Sequence, residues 1–155
     1  MIRSLAILIT AAAALAQETA PAPVLTPVEK EFQESMNNVQ LVGFFTTGDS
    51  DKLSGDKYTI ERITKVKDDT WKFEARIQYN GKDFKMGLPV PVKWAGNTPV
   101  IAVDNYTIPG YGTFNARVVI HQGDYAGTWS GTANGKTWGG KMFGKIVKLD
   151  AAPAK

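Results

Sequence analysis

The sequence predicts an all-β domain in which about eight antiparallel strands, in up-and-down order, close into a small barrel behind one short N-terminal helix. From Val39 onward the apolar residues recur with period two, which is the spacing of a half-buried strand rather than of a helix. Turn signals recur about every eight to twelve residues, as in all-β meanders and barrels. The last three predicted strands can also be paired so that one continuous face is apolar, which is the pattern of a barrel wall.

The N-terminal region reads as a secretory signal peptide over residues 1–16. Arg3 supplies the positive segment, an apolar run follows from Leu5 to Leu15, and Ala14-Leu15-Ala16 is a small-residue cleavage site. Residues 17–26 are an Ala/Pro-rich linker, residues 27–149 form a single β domain, and residues 150–155 read as a flexible tail. We therefore expect an exported protein that is periplasmic or extracellular after cleavage.

The first element of the domain is a helix from Pro27 to about Met36. Thr26 can cap it, Pro27 occupies its first position, and Glu29 completes a capping box. Its apolar stripe holds only three residues, so the helix can close an opening but cannot organise a core. Eight strands follow, at about residues 39–47, 57–66, 70–79, 82–93, 98–104, 113–121, 124–133 and 136–148.

Turn residues fix the register of the last three strands. With Asn134-Gly135 as a two-residue turn and Gln122-Gly123 as the one before it, large apolar residues face glycines. The predicted pairs are Trp138 with Gly131, Trp129 with Gly140, Met142 with Gly127, Tyr125 with Gly144, Ile120 with Tyr125, Val118 with Gly127, Ala116 with Trp129 and Phe114 with Gly131.

A hairpin through Asn80-Gly81 is predicted between the third and fourth strands. It pairs Ile77 with Phe84, Ala75 with Met86, Phe73 with Leu88 and Trp71 with Val90. Pro89 and Pro91 lack ladder donors, so this stretch is an edge, a bulge or a barrel rim.

The second strand leaves two interpretations open. Without a bulge, Ile60 faces Ile77, Val66 faces Trp71, and Arg62 points inward, where an anionic ligand would supply its acceptor. With a bulge near Glu61-Arg62, Ile63 turns inward and Arg62 turns outward. The bulge is favoured because unpaired inward charges are rare.

An eight-stranded barrel behind a short helix is similar in architecture to the lipocalin-like group of barrels, which hold one ligand inside. The Gly-x-Trp hallmark of that group appears here as Gly43-Phe44-Phe45, so the similarity is one of architecture alone. A two-sheet β-sandwich is the structural alternative. The leading functional hypothesis is a non-enzymatic binding module for a small, largely apolar or weakly anionic molecule. The alternative is an envelope-associated structural or interaction protein with a filled core.

Aromatic residues on the apolar strand faces are the candidate ligand contacts, because small-molecule pockets are lined by such side chains with a few polar groups. Core packing is the competing interpretation of the same residues. The candidate ligand-binding residues are Arg62, Trp71, Phe73, Trp94, Phe114, Trp129, Trp138 and Met142.

Other chemistries find little support in the sequence. There is no cysteine, which excludes disulfides and thiolates, and His121 is the only histidine, so a multi-histidine metal site is impossible. The basic residues are scattered among acidic ones, which argues against nucleic acid as a partner. No catalytic constellation is visible, and we expect no cofactor and no transmembrane segment.

Export predicts the identity of the mature N-terminus. N-terminal sequencing of the secreted product should begin at Gln17 or within a few residues of it, because the small residues before it form the cleavage site. An intact Met1 on the mature protein would contradict the export hypothesis.

Overall fold

The computed structural model describes residues 22–79 and 81–150, which form a closed eight-stranded antiparallel barrel with one helix at its N-terminal side. Each strand pairs with its sequence neighbours, and β1 pairs with β8 to close the wall. The predicted signal peptide, the linker up to residue 21 and the tail from residue 151 lie outside the described residues. The elements are α1 (Pro27–Met36), β1 (Val39–Phe45), β2 (Ser54–Lys67), β3 (Thr70–Tyr79), β4 (Lys82–Ala95), β5 (Thr98–Ile108), β6 (Gly112–His121), β7 (Asp124–Ala133) and β8 (Lys136–Lys148).

The predicted fold class is confirmed, and the barrel is closed rather than split into two sheets. Strand boundaries differ from the prediction mainly in β2, β4 and β5, which extend further than expected. None of the described residues belongs to a helix with the length and apolar character needed to cross a bilayer.

Helix α1 begins with the predicted capping box. The Thr26 amide donates to Glu29 Oε2 at 2.9 Å, and the Glu29 amide donates to Thr26 Oγ1 at 3.3 Å. This reciprocal pair satisfies two amide groups that a helix start otherwise leaves unbonded. The buried face of α1 places Phe32 and Met36 in the hydrophobic core, so the helix closes one end of the barrel.

The predicted register of β6, β7 and β8 is confirmed at every pair. Both of its turns have two consecutive residues with positive φ, at Gln122-Gly123 and Asn134-Gly135. Such two-residue turns match the twist of the strands they join and therefore fix the pairing. The four predicted pairs of β3 with β4 are also confirmed.

Strand β2 carries the bulge that the sequence left open. Ile60 pairs with Ala75, not with Ile77, and the register shifts before Arg62 pairs with Glu74. Ile63 is therefore fully buried, while Arg62 lies outside. A second shift follows Lys65, which turns Val66 to the exposed outer face and corrects the predicted pairing of Val66 with Trp71. The bulge avoids the cost of an inward guanidinium without an acceptor.

Glycines on β7 and β8 allow backbone and side chains to approach closely, but not always as predicted. A Cβ at Gly131 would lie 3.0 Å from the Trp138 and Phe114 rings, so this glycine does lie beneath aromatic side chains. A Cβ at Gly140 would instead lie 2.1 Å from the backbone oxygen of Thr46, which follows β1. Backbone, rather than the Trp129 indole, is the nearest obstacle at Gly140.

This difference predicts a graded response to alanine. Gly140→Ala should destabilise the protein by about 1 to 3 kcal/mol, because the added methyl meets backbone that cannot turn away. Gly131→Ala should cost less, because its neighbours are ring atoms with some freedom to shift. Chemical denaturation monitored by tryptophan fluorescence measures both changes.

The matched control is Gly55→Ala, since a Cβ at Gly55 has no neighbour within 4 Å. That variant should unfold within about 0.5 kcal/mol of the wild type. Equal unfolding midpoints for Gly140→Ala and Gly55→Ala would contradict the close approach of Thr46 to β8.

Candidate ligand-binding site

The predicted ligand-binding residues separate towards two ends of the barrel. Trp71, Phe73 and Trp94 lie at the end closed by α1, and all three contact Phe32. The Phe32 ring centroid is 5.3 Å from that of Trp71, 5.6 Å from that of Trp94 and 6.5 Å from that of Phe73. At this end the helix itself occupies the space that a ligand would need.

Phe114 and Trp138 lie towards the opposite end. Their ring centroids are 6.5 Å apart in an edge-to-face arrangement, and both side chains are half-buried. Trp129 is also half-buried, packs edge-to-face on Phe45 at 5.6 Å and donates its indole N–H to the Thr46 carbonyl at 3.2 Å. Met142 is buried in the core between the two groups.

Arg62 lies on the outer face of the barrel, so the interpretation in which it points inward is wrong, and the favoured interpretation with a β2 bulge is confirmed. Its guanidinium is exposed on the outer face and donates from Nε to Glu74 Oε2 at 2.8 Å. The Glu74 carboxylate also accepts from Lys72. Hydrogen bonds from Lys72 and Arg62 hold the pKa of Glu74 below its ordinary value.

The wall of the barrel is incomplete between β4 and β5. Among the described residues these strands form ladder pairs only from Val92 to Ala95, near α1, and no ladder pair joins the rest of β4 to the end of β5. At the far end the Phe84 and Tyr111 rings close the gap, with their centroids 5.0 Å apart, and Lys82 Nζ lies 4.8 Å from the Tyr111 centroid. We name this opening in the wall the portal.

The two prolines of β4 lie on the edge of the portal. Val92 donates its amide to Asp69 beside β3, so residues of even number in β4 direct their backbone groups towards β3. Because neighbouring residues of a strand direct these groups to opposite sides, Pro89 and Pro91 face β5. Pro89 and Pro91 have no amide hydrogen to donate, and they lie where β5 forms no ladder pair with β4.

Half-buried apolar side chains surround the portal and the open end. Most inward-facing residues near α1 are almost completely buried, with Trp94, Ile101 and Ile146 as half-buried exceptions, whereas most of those towards the other end keep part of their surface exposed. This lining consists of Ile77, Phe84, Met86, Leu88, Val103, Tyr106, Ile108, Tyr111, Phe114 and Trp138.

Two shallow clefts lie on the outside of the wall. One, of about 350 Å³, lies over Gly87 between the Lys72, Glu74 and Lys85 side chains. The other, of about 460 Å³, lies beside Asp104 and Arg117. Both are lined largely by charged and polar groups of the outer face, so neither is an interior cavity for an apolar ligand.

A buried hydrogen bond between a tyrosine and a carboxylate links β7 to β2 inside the barrel. Tyr125, which is 1% exposed, donates its hydroxyl to Asp56 Oδ1 at 2.9 Å, while Asp56 Oδ2 has no hydrogen-bond partner in the described part of the chain. Burial raises the pKa of Asp56 above its ordinary value of 3.8, although hydrogen bonds from Tyr125 and Tyr58 oppose the rise. Burial and the Asp56 charge also raise the pKa of Tyr125.

A second buried charge lies beneath α1. Glu29 forms an ion pair with Lys65, and both side chains are almost completely covered. Burial alone would raise the pKa of Glu29, but the hydrogen bonds from Lys65 and Thr26 bring it below its ordinary value. This ion pair links α1 to β2 over the barrel end, and each of the two charges is neutralised by the other.

Sequence reasoning missed the portal, the Asp56–Tyr125 pair and the Glu29–Lys65 pair. The prolines at 89 and 91 did signal an edge, but not which neighbouring strand was missing. Asp56 was assigned to a loop before β2, because the strand was expected to begin at residue 57. One signal was available, since Asp56 alternates with Tyr58 and Ile60 on one face.

The buried carboxylate predicts an inverse dependence of stability on pH. The folded pKa of Asp56 is raised, so the folded state holds the proton more tightly than the unfolded state does. Stability from this group is complete below about pH 3.8 and is lost as the pH rises through the folded pKa. Asp56→Asn should remove this loss, so the variant should gain stability relative to wild type between pH 3 and pH 7.

Denaturation midpoints at several pH values measure this gain. Tyr125→Phe is the informative partner variant, because losing the donor raises the pKa of Asp56 further and should cost about 1 to 3 kcal/mol. A constant difference between wild type and Asp56→Asn at all pH values would contradict the raised pKa.

The described residues contain no group of three or more His, Cys, Asp or Glu side chains placed to hold a metal ion. The candidate ligand contacts remain the half-buried apolar residues of the portal and the open end. No protein-family model matches this chain, and no curated protein sequence matches it significantly.

Proposed function

We propose that the protein is a non-enzymatic binding module that takes one small, largely apolar molecule at the open end of the barrel, through the portal between β4 and β5. The observation that carries this proposal is the gradient of burial along the inner face. Most inward side chains beneath α1 are completely buried, although Trp94 is half-buried, and most of those towards the other end are half-buried. Partly exposed aromatic and aliphatic groups on an inner face are the kind of side chains that line small-molecule sites.

The incomplete seam supports a route of entry. Among the described residues, ladder pairing between β4 and β5 is found only over Val92–Ala95, so the part of the wall away from α1 can separate without breaking that ladder. The Phe84 and Tyr111 rings contact each other across this gap. Side chains change rotamer much faster than strands unpair, which suits them to a gate.

An anionic group on the ligand would meet the rim rather than the interior. Arg62 lies outside and is paired with Glu74, whereas Lys82 lies at the rim over the Tyr111 ring. The proposed ligand is therefore apolar along its length, and any weak negative charge lies at its exposed end.

The alternative is an envelope-associated interaction protein with a filled core that acts through its outer face. Tight packing beneath α1 favours it, since Trp71, Ile63, Val39 and Val92 are completely buried there. Either function belongs outside the cytoplasm if residues 1–16 act as the signal peptide that their pattern predicts.

Binding of a neutral fluorescent probe tests the proposed site. N-phenyl-1-naphthylamine should bind the wild type and accept energy from its tryptophans. Trp138→Phe should weaken binding about two- to tenfold, because it removes part of an aromatic contact at the open end.

Trp94→Phe is the matched control, because Trp94 packs on Phe32 at the closed end. Its affinity should equal that of wild type, and Arg62→Met should leave the affinities for both the neutral probe and an anionic naphthalene sulfonate unchanged. If Trp94→Phe lowered the affinity for the neutral probe and Trp138→Phe left it unchanged, the binding site would lie at the helix end instead. Failure of the wild type to bind either probe would favour the filled-core alternative.

A further inference from the structure

A row of apolar side chains crosses the outside of the barrel on four adjacent strands. Phe44 on β1 pairs with Phe143 on β8, Phe143 pairs with Ala126 on β7, and Ala126 pairs with Val119 on β6. Their side chains are exposed, to 47% for Phe44, 42% for Phe143 and 40% for Val119. We name these four residues the outer belt, and with strands about 4.8 Å apart the belt is about 14 Å long.

The two rings give the outer belt its centre. The Phe44 and Phe143 centroids are 6.3 Å apart, so the rings form one continuous apolar surface. Val42, which is 40% exposed, adjoins them two residues along β1. Packing inside the barrel gives no reason for large apolar side chains on its outer face, and contiguous patches of this kind mark interaction sites.

Lysines flank the outer belt on both sides. Lys145 and Lys141 stand two residues to either side of Phe143 on β8, about 7 Å away along the strand. Lys57 and Lys145 are the register partners of Val42 on its two neighbouring strands. Among the described residues, no carboxylate lies within 4.0 Å of any of these three ammonium groups, although Asp124 is the partner of Lys145 on β7.

The charge of this surface selects among possible occupants. A second copy would bring two sets of unpaired lysines together, and their repulsion opposes such a dimer. Protein interfaces favour arginine and are depleted in lysine, whereas the belt is flanked by lysines alone at its phenylalanine end. Lysines around exposed aromatic groups are instead the pattern of a surface that rests on anionic lipid headgroups.

We propose that the outer belt, with Lys57, Lys141 and Lys145, docks the barrel on an anionic phospholipid surface. The apolar side chains enter the boundary between headgroups and acyl chains, while the three ammonium groups lie at the level of the phosphates. This proposal is independent of ligand binding, because the belt is on the outer face and the portal opens between β4 and β5.

Vesicle co-flotation tests the proposal with the chain from Gln17 to Lys155, which contains every described element and lacks the apolar N-terminal run. The wild type should bind vesicles of equal parts phosphatidylglycerol and phosphatidylcholine and should not bind pure phosphatidylcholine. Binding should be lost in about 0.5 M NaCl, because salt screens exposed charges. Phe44→Thr/Phe143→Thr should weaken partitioning about tenfold, and Lys57→Gln/Lys145→Gln should weaken it about tenfold or more.

The matched control is Val66→Thr/Lys67→Gln, which changes an exposed valine and a lysine at the β2–β3 turn, away from the belt. Its partitioning should equal that of wild type. The lysine and control variants should keep the wild-type denaturation midpoint because their side chains are exposed. Loss of the Phe44–Phe143 ring contact should lower the midpoint of the phenylalanine variant, so the lysine pair provides a second test that folding does not affect.

Three outcomes would overturn the proposal. The first is that the wild type binds neutral and anionic vesicles equally, or binds neither. The second is that vesicle binding decreases equally in the control variant and in the belt variants. The third is a wild-type dimer in analytical ultracentrifugation that Phe44→Thr/Phe143→Thr converts to monomer, since the belt would then bind a second copy.

Discussion

The barrel depends on two glycines over which the side chain of one tyrosine passes to reach a residue two strands beyond its neighbour. Tyr125 on β7 lies over Gly144 on β8 and Gly43 on β1, and its hydroxyl reaches Asp56 on β2. A Cβ at Gly43 would lie 2.5 Å from the tyrosine hydroxyl, and one at Gly144 would lie 2.7 Å from the ring. Four consecutive strands, including the β1–β8 pair that closes the wall, are thus tied by a single side chain whose position requires two residues without side chains.

Local chemistry explains why so much of this architecture follows from the sequence. The turns at Gln122-Gly123 and Asn134-Gly135 adopt positive φ at both positions, and such turns determine the register of both flanking strands. Once the register is fixed, the side-chain period of two assigns every residue to a face. The capping box at Thr26 and Glu29 is likewise a short-range signal, and it is found as predicted.

The remaining features depend on interactions between residues distant in sequence. The bulge that turns Arg62 outward inserts an extra residue in β2, and this also turns Lys65 inward to Glu29. The strand alternation places Asp56 on the inner face, and Tyr125, 69 residues away in the sequence, supplies a hydrogen-bond donor for it there. For the candidate ligand contacts, the sequence pattern identified the apolar strand faces on which they lie. The pattern did not determine which end of the barrel α1 covers, so it could not distinguish Trp71, which the helix covers, from the half-buried residues at the open end.

At the portal no ladder pair joins the described parts of β4 and β5 beyond Val92–Ala95. Strand edges without a ladder partner ordinarily recruit strands from other molecules and promote aggregation. On β4 this hazard is reduced in the sequence itself. Pro89 and Pro91 present no amide hydrogen towards the gap, and the charged side chains of Asp83 and Lys85 lie along the same strand. An incoming strand would find few donors and would have to cover charges. The barrel can therefore keep an opening in its wall without offering a template for intermolecular sheet growth.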